Sequence, residues 1–199
     1  MREAPVDLRA RFGLEPLGLI PYPPDNPPVA ERIALGRLLF FDPILGGEKD
    51  VSCGTCHHRD FAFADGRQFG AGTSGEGLGP GRLVSHSALS GQIVALEPRN
   101  TPTVLNTAYN ADESVLPSAF GLQFLDGRSR GLEEQATLPI SSREEMRGDA
   151  YNEEDALDSL VLRLRGLPEY VRLFAEAFPG DAAQRPGAAV VDSSTFARA

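Results

Sequence analysis

The chain is short of several residue types. Its 199 residues include no tryptophan, two cysteines and three histidines. Two cysteines permit one disulfide at most, which excludes a disulfide-stapled scaffold. A zinc site needs four converging ligands, and beyond Cys53, Cys56, His57 and His58 the only histidine is His86, so a second Cys or His pair is missing. Basic side chains are outnumbered: 19 Lys and Arg against 28 Asp and Glu give a net charge of −9 and a pI of about 4.8. An acidic surface argues against nucleic acid or an anionic membrane and suits a basic protein partner such as a small cationic cytochrome. Residues 1–30 hold no apolar run fit for a signal peptide or a membrane span. No internal repeat and no convincing strand pattern is present. What remains is 41% apolar, enough for one domain and part of a second, while 21 glycines and 16 prolines give loops a large share.

Both cysteines fall in one stretch, Val51-Ser52-Cys53-Gly54-Thr55-Cys56-His57-His58. C-x-x-C-H is the attachment signature of a c-type haem. In a helical turn, residues three apart share a face. Cys53 and Cys56 can therefore both reach the vinyl groups on one porphyrin edge, and His57 becomes the proximal iron ligand. A dithiol redox site would want a buried strand before the motif, and Gly46-Gly47-Glu48-Lys49-Asp50 reads as a turn. A disulfide at i, i+3 is geometrically poor. Covalent haem is attached outside the bacterial cytoplasm, so a periplasmic or exported protein is expected, with its leader already removed or its native start elsewhere.

In chain order, residues 1–27 read as an extended proline-rich arm. A helix is expected from about Pro28 to Phe41, capped by Asn26, with Val29, Ile33, Leu35, Leu38, Phe40 and Phe41 as its apolar face and Asp42-Pro43 as its stop. The haem turn follows at about 52–58. Residues 66–98 are glycine-rich and irregular, a loop long enough to be functional. A helix over 131–137 precedes a capping box between Ser141 and Glu144, which leaves Glu145 free. Helices are expected at about 153–165, capped by Asn152, ended by Gly166 and striped by Leu157, Leu160, Val161 and Leu164, and from Pro168 to Phe178 with Val171, Phe174 and Phe178 inward. The whole is all-α: a cytochrome c-like haem domain over 28–180 with long irregular loops, followed by 181–199 as a linker and the start of a truncated second haem domain.

Five strings in this order are specific: Leu35-Gly36-Arg37-Leu38-Leu39-Phe40-Phe41-Asp42, Ser52-Cys53-Gly54-Thr55-Cys56-His57, Arg99-Asn100-Thr101-Pro102-Thr103, Phe124-Leu125-Asp126-Gly127-Arg128, and Leu132-Glu133-Glu134-Gln135-Ala136 with Pro139-Ile140 and Glu145-Met146. Over 28–180 the chain resembles the N-terminal, peroxidatic domain of the bacterial di-haem cytochrome c peroxidases and their MauG-type relatives. The resemblance implies covalent haem c here, a second haem in the full-length protein, hydrogen peroxide as substrate and a small electron-donor protein, a cytochrome c or a copper protein. It is compatible with a homodimer. Glu145 matches the family's distal general acid–base and Gln135 its companion. Without the flanking strings Glu145 would read as a solvated helix carboxylate. Arg99 and Arg128 are candidates for the haem propionates, since Arg pairs well with carboxylates. Met146 reads as core, and His58 as a neighbour pointing away from the iron.

Three departures stand out. Leu125 occupies the place where the family usually has tryptophan between the haems. His86, the candidate removable distal iron ligand, lies farther upstream than usual. Asn100 resembles a calcium ligand that the family places between its two domains. Two further readings stay open beside the peroxidase: a MauG-like oxidase modifying a protein substrate, and a mono-haem electron-transfer cytochrome with no enzyme activity, which the Gln135 and Glu145 pair disfavours.

Overall fold

The computed structural model describes residues 7–13, 16, 18–110 and 121–199; the remainder of the expected N-terminal arm lies outside them. Among the described residues the α-helices are α1 (Leu8–Phe12), α2 (Ala30–Phe41), α3 (Cys53–Cys56), α4 (Gly131–Ser141), α5 (Ala156–Arg165), α6 (Pro168–Ala177), α7 (Pro179–Gln184) and α8 (Ser193–Ala197). The fold is helix-rich but not all-α. Two antiparallel two-residue ladders pair β1 (Gly75–Glu76) with β2 (Leu83–Val84), and β3 (Leu122–Gln123) with β4 (Ser129–Arg130). Segments this short show no alternation, so sequence pattern misses them.

The core joins α2, α5, α6 and α8. Leu35, Leu39, Leu160, Leu164, Phe174, Phe178, Val190, Val191 and Phe196 are buried together with Met146. The stripes expected on α5 and α6 are largely the observed ones, with Leu160, Val161, Leu164 and Phe174 inward. On α2 the expected face was misphased. Leu35 and Leu39 are buried, whereas Ile33, Leu38 and Phe41 stay about half exposed. The helix is apolar nearly all round, so its sequence does not choose a side; the neighbours do. Gly36 sits where the Ala199 carbonyl crosses α2, and a Cβ there would collide with it.

Helix ends depart from expectation in instructive ways. Helix α2 starts at Ala30 with no side-chain cap. Asn26 is instead a clamp: its Nδ2 donates to Glu133 Oε1 (2.8 Å) and the Arg198 carbonyl (3.1 Å), and its Oδ1 accepts from Arg32 (2.8 Å). Helix α4 extends to Ser141, past the expected end, and carries Pro139 inside it. Helix α5 begins at Ala156 after Asp155, with Asn152 donating to the Asp155 carboxylate (3.4 Å). Pro179 opens α7 as well as closing α6. Asp192 caps α8 by accepting from the Thr195 N–H (2.8 Å). Val190, Val191 and Phe196 then return residues 187–199 to the core.

The long loop is organised by Arg82, which is only 4% exposed. Its guanidinium donates to the carbonyls of Ala71 (2.7 Å), Gly72 (2.6 Å) and Gly77 (2.7 Å). A buried cation needs acceptors, and three backbone carbonyls supply them.

Candidate active site

The haem-attachment motif forms one tight turn. Thr55 Oγ1 accepts from the Ser52 N–H (3.0 Å), and the His57 N–H closes the turn on the Cys53 carbonyl (2.8 Å). The helix holds only Cys53–Cys56, shorter than expected, and His57 lies just beyond it. Both cysteines are free thiols, half-buried. Burial pushes Cys53 up to about 11 and Cys56 up to about 12. A redox dithiol needs the opposite shift, toward thiolate. Neutral thiols on one turn fit thioether anchors.

His57 is set up as a ligand. Its Nδ1 lies 3.2 Å from the Phe63 carbonyl and 3.0 Å from the Pro102 carbonyl. Two carbonyl acceptors fix the proton on Nδ1 and leave the Nε2 lone pair for a metal. Burial lowers the imidazole pKa, which keeps the ring neutral. The Phe40 ring stands 6.4 Å from the His57 ring. Beside them opens a groove of about 740 Å³ lined by Phe40, Phe41, Phe63 and Val104 with Arg37 and Arg59. These residues fit a covalently held haem. His58 turns away: its Nδ1 accepts from the Asp60 N–H (3.3 Å) and its ring lies 5.7 Å from Phe61.

A second turn, Arg143–Arg147, carries Glu145. The expected Ser141–Glu144 box is absent; the cap is one residue later, with Ser142 Oγ accepting from the Glu145 N–H (3.3 Å). The Gly148 N–H reaches back to the Arg143 carbonyl (3.1 Å), a wide π-type turn of the sort common at functional sites. Sequence periodicity cannot show such a turn. Met146 is buried in the core, as expected.

One strand of loop joins the two turns. Cys56 Sγ donates to the Ala71 carbonyl (3.5 Å), and the Thr73 N–H donates to the Glu145 carbonyl (2.8 Å). Between them Gly72 packs so close to the Glu144 and Glu145 backbone that a Cβ would clash. Glu145 therefore lies near enough to both cysteines to act on them through its charge. Burial raises the Glu145 pKa, offset in part by Arg128. Glu97 stands beside it, and burial together with the charges of Glu145 and Glu144 raises its pKa to about 7. Gln135 sits half-buried on α4, two turns before its end.

The remaining candidates are more dispersed. Arg99 (2.8 Å) and Arg128 (3.0 Å) both pair with Asp126, which their hydrogen bonds hold down at about 2, and Arg128 lies 3.7 Å over the Phe124 ring. Asn100 donates to the Arg67 carbonyl (2.5 Å). His86 is exposed and bridged through its backbone to Ile93. Leu125 is 87% exposed. Among the described residues no group of three or more His, Cys, Asp or Glu is placed to hold a metal ion. Sequence reasoning missed Arg82, Glu97 and Ser142. Their residue types are common in loops, and only the fold brings them to the site.

A helix-rich domain presenting paired thiols, a neutral histidine and a half-buried carboxyl on adjoining turns has the parts of a haem site with proton chemistry. The family model for di-haem cytochrome c peroxidase matches residues 30–199, and the chain belongs to that family. It is 36% identical over 159 residues to the methylamine utilization protein MauG of Methylorubrum extorquens, covering 80% of this chain and 35% of that protein. It is 36% identical over 153 residues to the cytochrome c551 peroxidase of Pseudomonas aeruginosa, covering 76% and 34%. The chain thus spans about a third of the length of these relatives. Among solved structures it is similar to a MauG-like protein associated with microbial copper homeostasis, at a TM-score of 0.58 and 26% identity over 94% of this chain and 45% of that one. A variant of the dihaem peroxidase BthA of Burkholderia thailandensis matches at a TM-score of 0.53 and 25% identity over 87% and 40%. The family match includes 181–199, beyond the 28–180 expected from the motifs.

Proposed function

We propose that this chain is the peroxidatic, cytochrome c-like haem domain of a di-haem enzyme that reduces hydrogen peroxide to water with electrons from a small cytochrome c or copper protein. One observation carries the reading: the loop strand 71–73 holds the Cys53–His57 turn and a half-buried, pKa-raised Glu145 side by side. Cys53 and Cys56 would hold the haem as thioethers and His57 would ligate its iron through Nε2. When bound, the haem supplies the iron that takes up peroxide and the redox equivalents that break its O–O bond. The chain supplies the proton handling. Glu145 takes the proton from one peroxide oxygen and returns it to the departing one, as a positioned carboxylate can. Gln135 orients the peroxide through its amide. Arg99 and Arg128 keep donors beyond those given to Asp126, and these suit haem propionates.

His86 is our candidate for a removable sixth ligand, tested by whether His86→Ala is active without prior reduction. Asn100 is our candidate calcium ligand, completed in the family by the second domain. We place the protein in the periplasm, where thioether attachment of haem takes place. The MauG-type oxidase remains the second reading, favoured by the MauG relative. A mono-haem electron carrier would have no use for a half-buried carboxyl beside the haem turn.

The test is made in an export host with haem-attachment machinery. The denatured protein should carry the added mass of haem on Cys53 and Cys56; a clean apo mass with normal folding would sink the reading. Assays of the full-length protein with peroxide and with a protein substrate then separate peroxidase from oxidase.

A further inference from the structure

Each peroxide reduced to two waters consumes two electrons and two protons. The electrons come from the donor protein. Glu145 only moves a proton between the two oxygens, so the protons that end in water must reach the pocket from solvent. The structure holds a group suited to that supply.

Glu97 leaves the long loop at its C-terminal end. Its N–H donates to the Gly70 carbonyl (2.9 Å), and the Gly70 N–H donates to the Arg99 carbonyl (3.1 Å), which fixes Glu97 against the start of the site strand. Gly70 permits this approach: a Cβ there would press on the Glu97 side chain and clash with Thr101. Ser142 Oγ donates to Glu97 Oε1 (3.3 Å) and accepts from the Glu145 N–H (3.3 Å). The same hydroxyl also acts on the Glu145 carboxyl. Ser142 thus stands between the Glu97 carboxyl, to which it donates, and the Glu145 residue, from whose backbone N–H it accepts. The charged groups facing Glu97 are Glu145 and Glu144, which oppose its ionisation, and Arg128, which favours it. Among the described ion pairs none involves Glu97 or Glu145, so no cation is locked onto either.

We propose that Glu97 is the proton reservoir of this pocket, a positioning residue that takes up a proton from solvent and passes it by way of the Ser142 hydroxyl to the Glu145 carboxylate. This rests on the peroxide-reduction reading above. The two carboxyls differ in the way the roles require. Glu145 and Glu144 push the Glu97 pKa to about 7, so it is loaded near neutrality and available to deliver. In each transfer the Ser142 hydroxyl turns its proton from Glu97 toward the Glu145 carboxylate; the O–H bond of Glu97 then breaks as one forms on Ser142, whose own proton goes to Glu145. Glu97 then reloads from solvent, and no oxidant or reductant is needed.

The experiment uses the full-length holoprotein in three forms: wild type, Glu97→Gln and Glu97→Asp. Glutamine is isosteric and its Oε1 still accepts from Ser142, so the turn keeps its cap. Wild-type kcat should fall as pH rises through about 7. In Glu97→Gln, kcat should be about tenfold lower at about pH 6 and flat across that range, with KM for peroxide unchanged, a loss below the full contribution of a general acid–base because Glu145 remains. Glu97→Asp should restore a sloping limb. Independently of turnover, infrared difference spectra should show a protonated-carboxyl stretch that titrates near 7 in wild type and is absent in Glu97→Gln. A wild-type limb and kcat in Glu97→Gln overturn the proposal, as does a stretch that survives the substitution. A raised KM with the limb retained points to a structural role and also overturns it. If wild type does not turn over peroxide at all, the reading beneath fails, and the infrared band shows separately whether Glu97 carries the proton.

Discussion

The two halves of the domain are held together by different physics. In the helical half, α2, α5, α6 and α8 bury aliphatic and aromatic side chains against one another; Phe174 and Phe178 stack with their centroids 6.3 Å apart. In the site half, among the described residues from Gly46 to Gly148, buried apolar side chains are few and long polar side chains reach for backbone carbonyls. Arg82 takes three of them, and Arg163 takes those of Ile44 (2.6 Å), Gly46 (2.6 Å) and Gly47 (2.9 Å). The core is tolerant of detail because area is non-directional. The site half is directional: its loops hold position through particular donor-to-carbonyl bonds more than through apolar area. That suits a site whose ligand is itself a large rigid body.

The contrast can be broken from either side. The largest effect is expected in the core. Phe174→Ala removes a fully buried ring and should cost about 3–5 kcal/mol in chemical denaturation, enough to threaten folding of a single domain. Arg82→Met should cost nearly as much, about 3 kcal/mol, although it removes no apolar area, because three carbonyls lose a charged donor. If Arg82→Met is neutral, the site half is held by something other than its cation-to-carbonyl bonds. Glu145→Gln should do the reverse of both: unchanged melting, haem retained, and peroxide turnover in the full-length protein cut about a hundredfold. Full turnover in that variant would make Glu145 an ordinary surface carboxylate.

The smallest effect is a pH dependence. The folded Glu97 pKa, about 7, lies above its ordinary carboxylate value of 4.5. A raised folded pKa means that the native state binds more protons than the unfolded chain between these values. Stability from this group is therefore full below about pH 4.5 and is lost as pH rises through about 7. Half exposure screens the effect, leaving about 1 kcal/mol. Glu97→Gln should flatten that part of the stability profile, as read from melting at pH values on either side of the window. An unchanged slope would assign it to another group.

These two kinds of order explain what the sequence could disclose. The haem turn was legible because C-x-x-C-H is a local motif whose spacing is its geometry. The stripes on α5 and α6 were legible because one face is apolar and the other charged. Helix α2 was not, since an almost uniformly apolar helix takes its orientation from what packs on it. Glu145 was reached only through the family resemblance; its turn is closed by bonds to Ser142 and to Thr73, which lies some seventy residues away in the chain. Arg82 and Glu97 were unreadable for the same reason. Each becomes informative only once a distant backbone segment arrives beside it.

The Arg82 clasp has a consequence for how such a domain can vary. Its three bonds join residues 71, 72 and 77 to residue 82, and Arg67 donates to the Arg82 carbonyl and to that of Phe69 (3.0 Å). The chain is therefore cinched before it departs on the excursion over 83–96, which shows Leu83, Leu89 and Ile93 to solvent. It is cinched again at Glu97 and Arg99 through Gly70. Between these two feet the excursion is pinned along its inner edge, where Val94 and Ser87 are buried and Ser87 and Ala88 donate to the Glu48 carboxylate. The domain behaves as a socket with a flange. Residues can be exchanged at the outer positions Leu83, Leu89 and Ile93 without moving Cys56 or Glu145, so that rim is where related domains can acquire new surface contacts while the chemistry underneath stays in register.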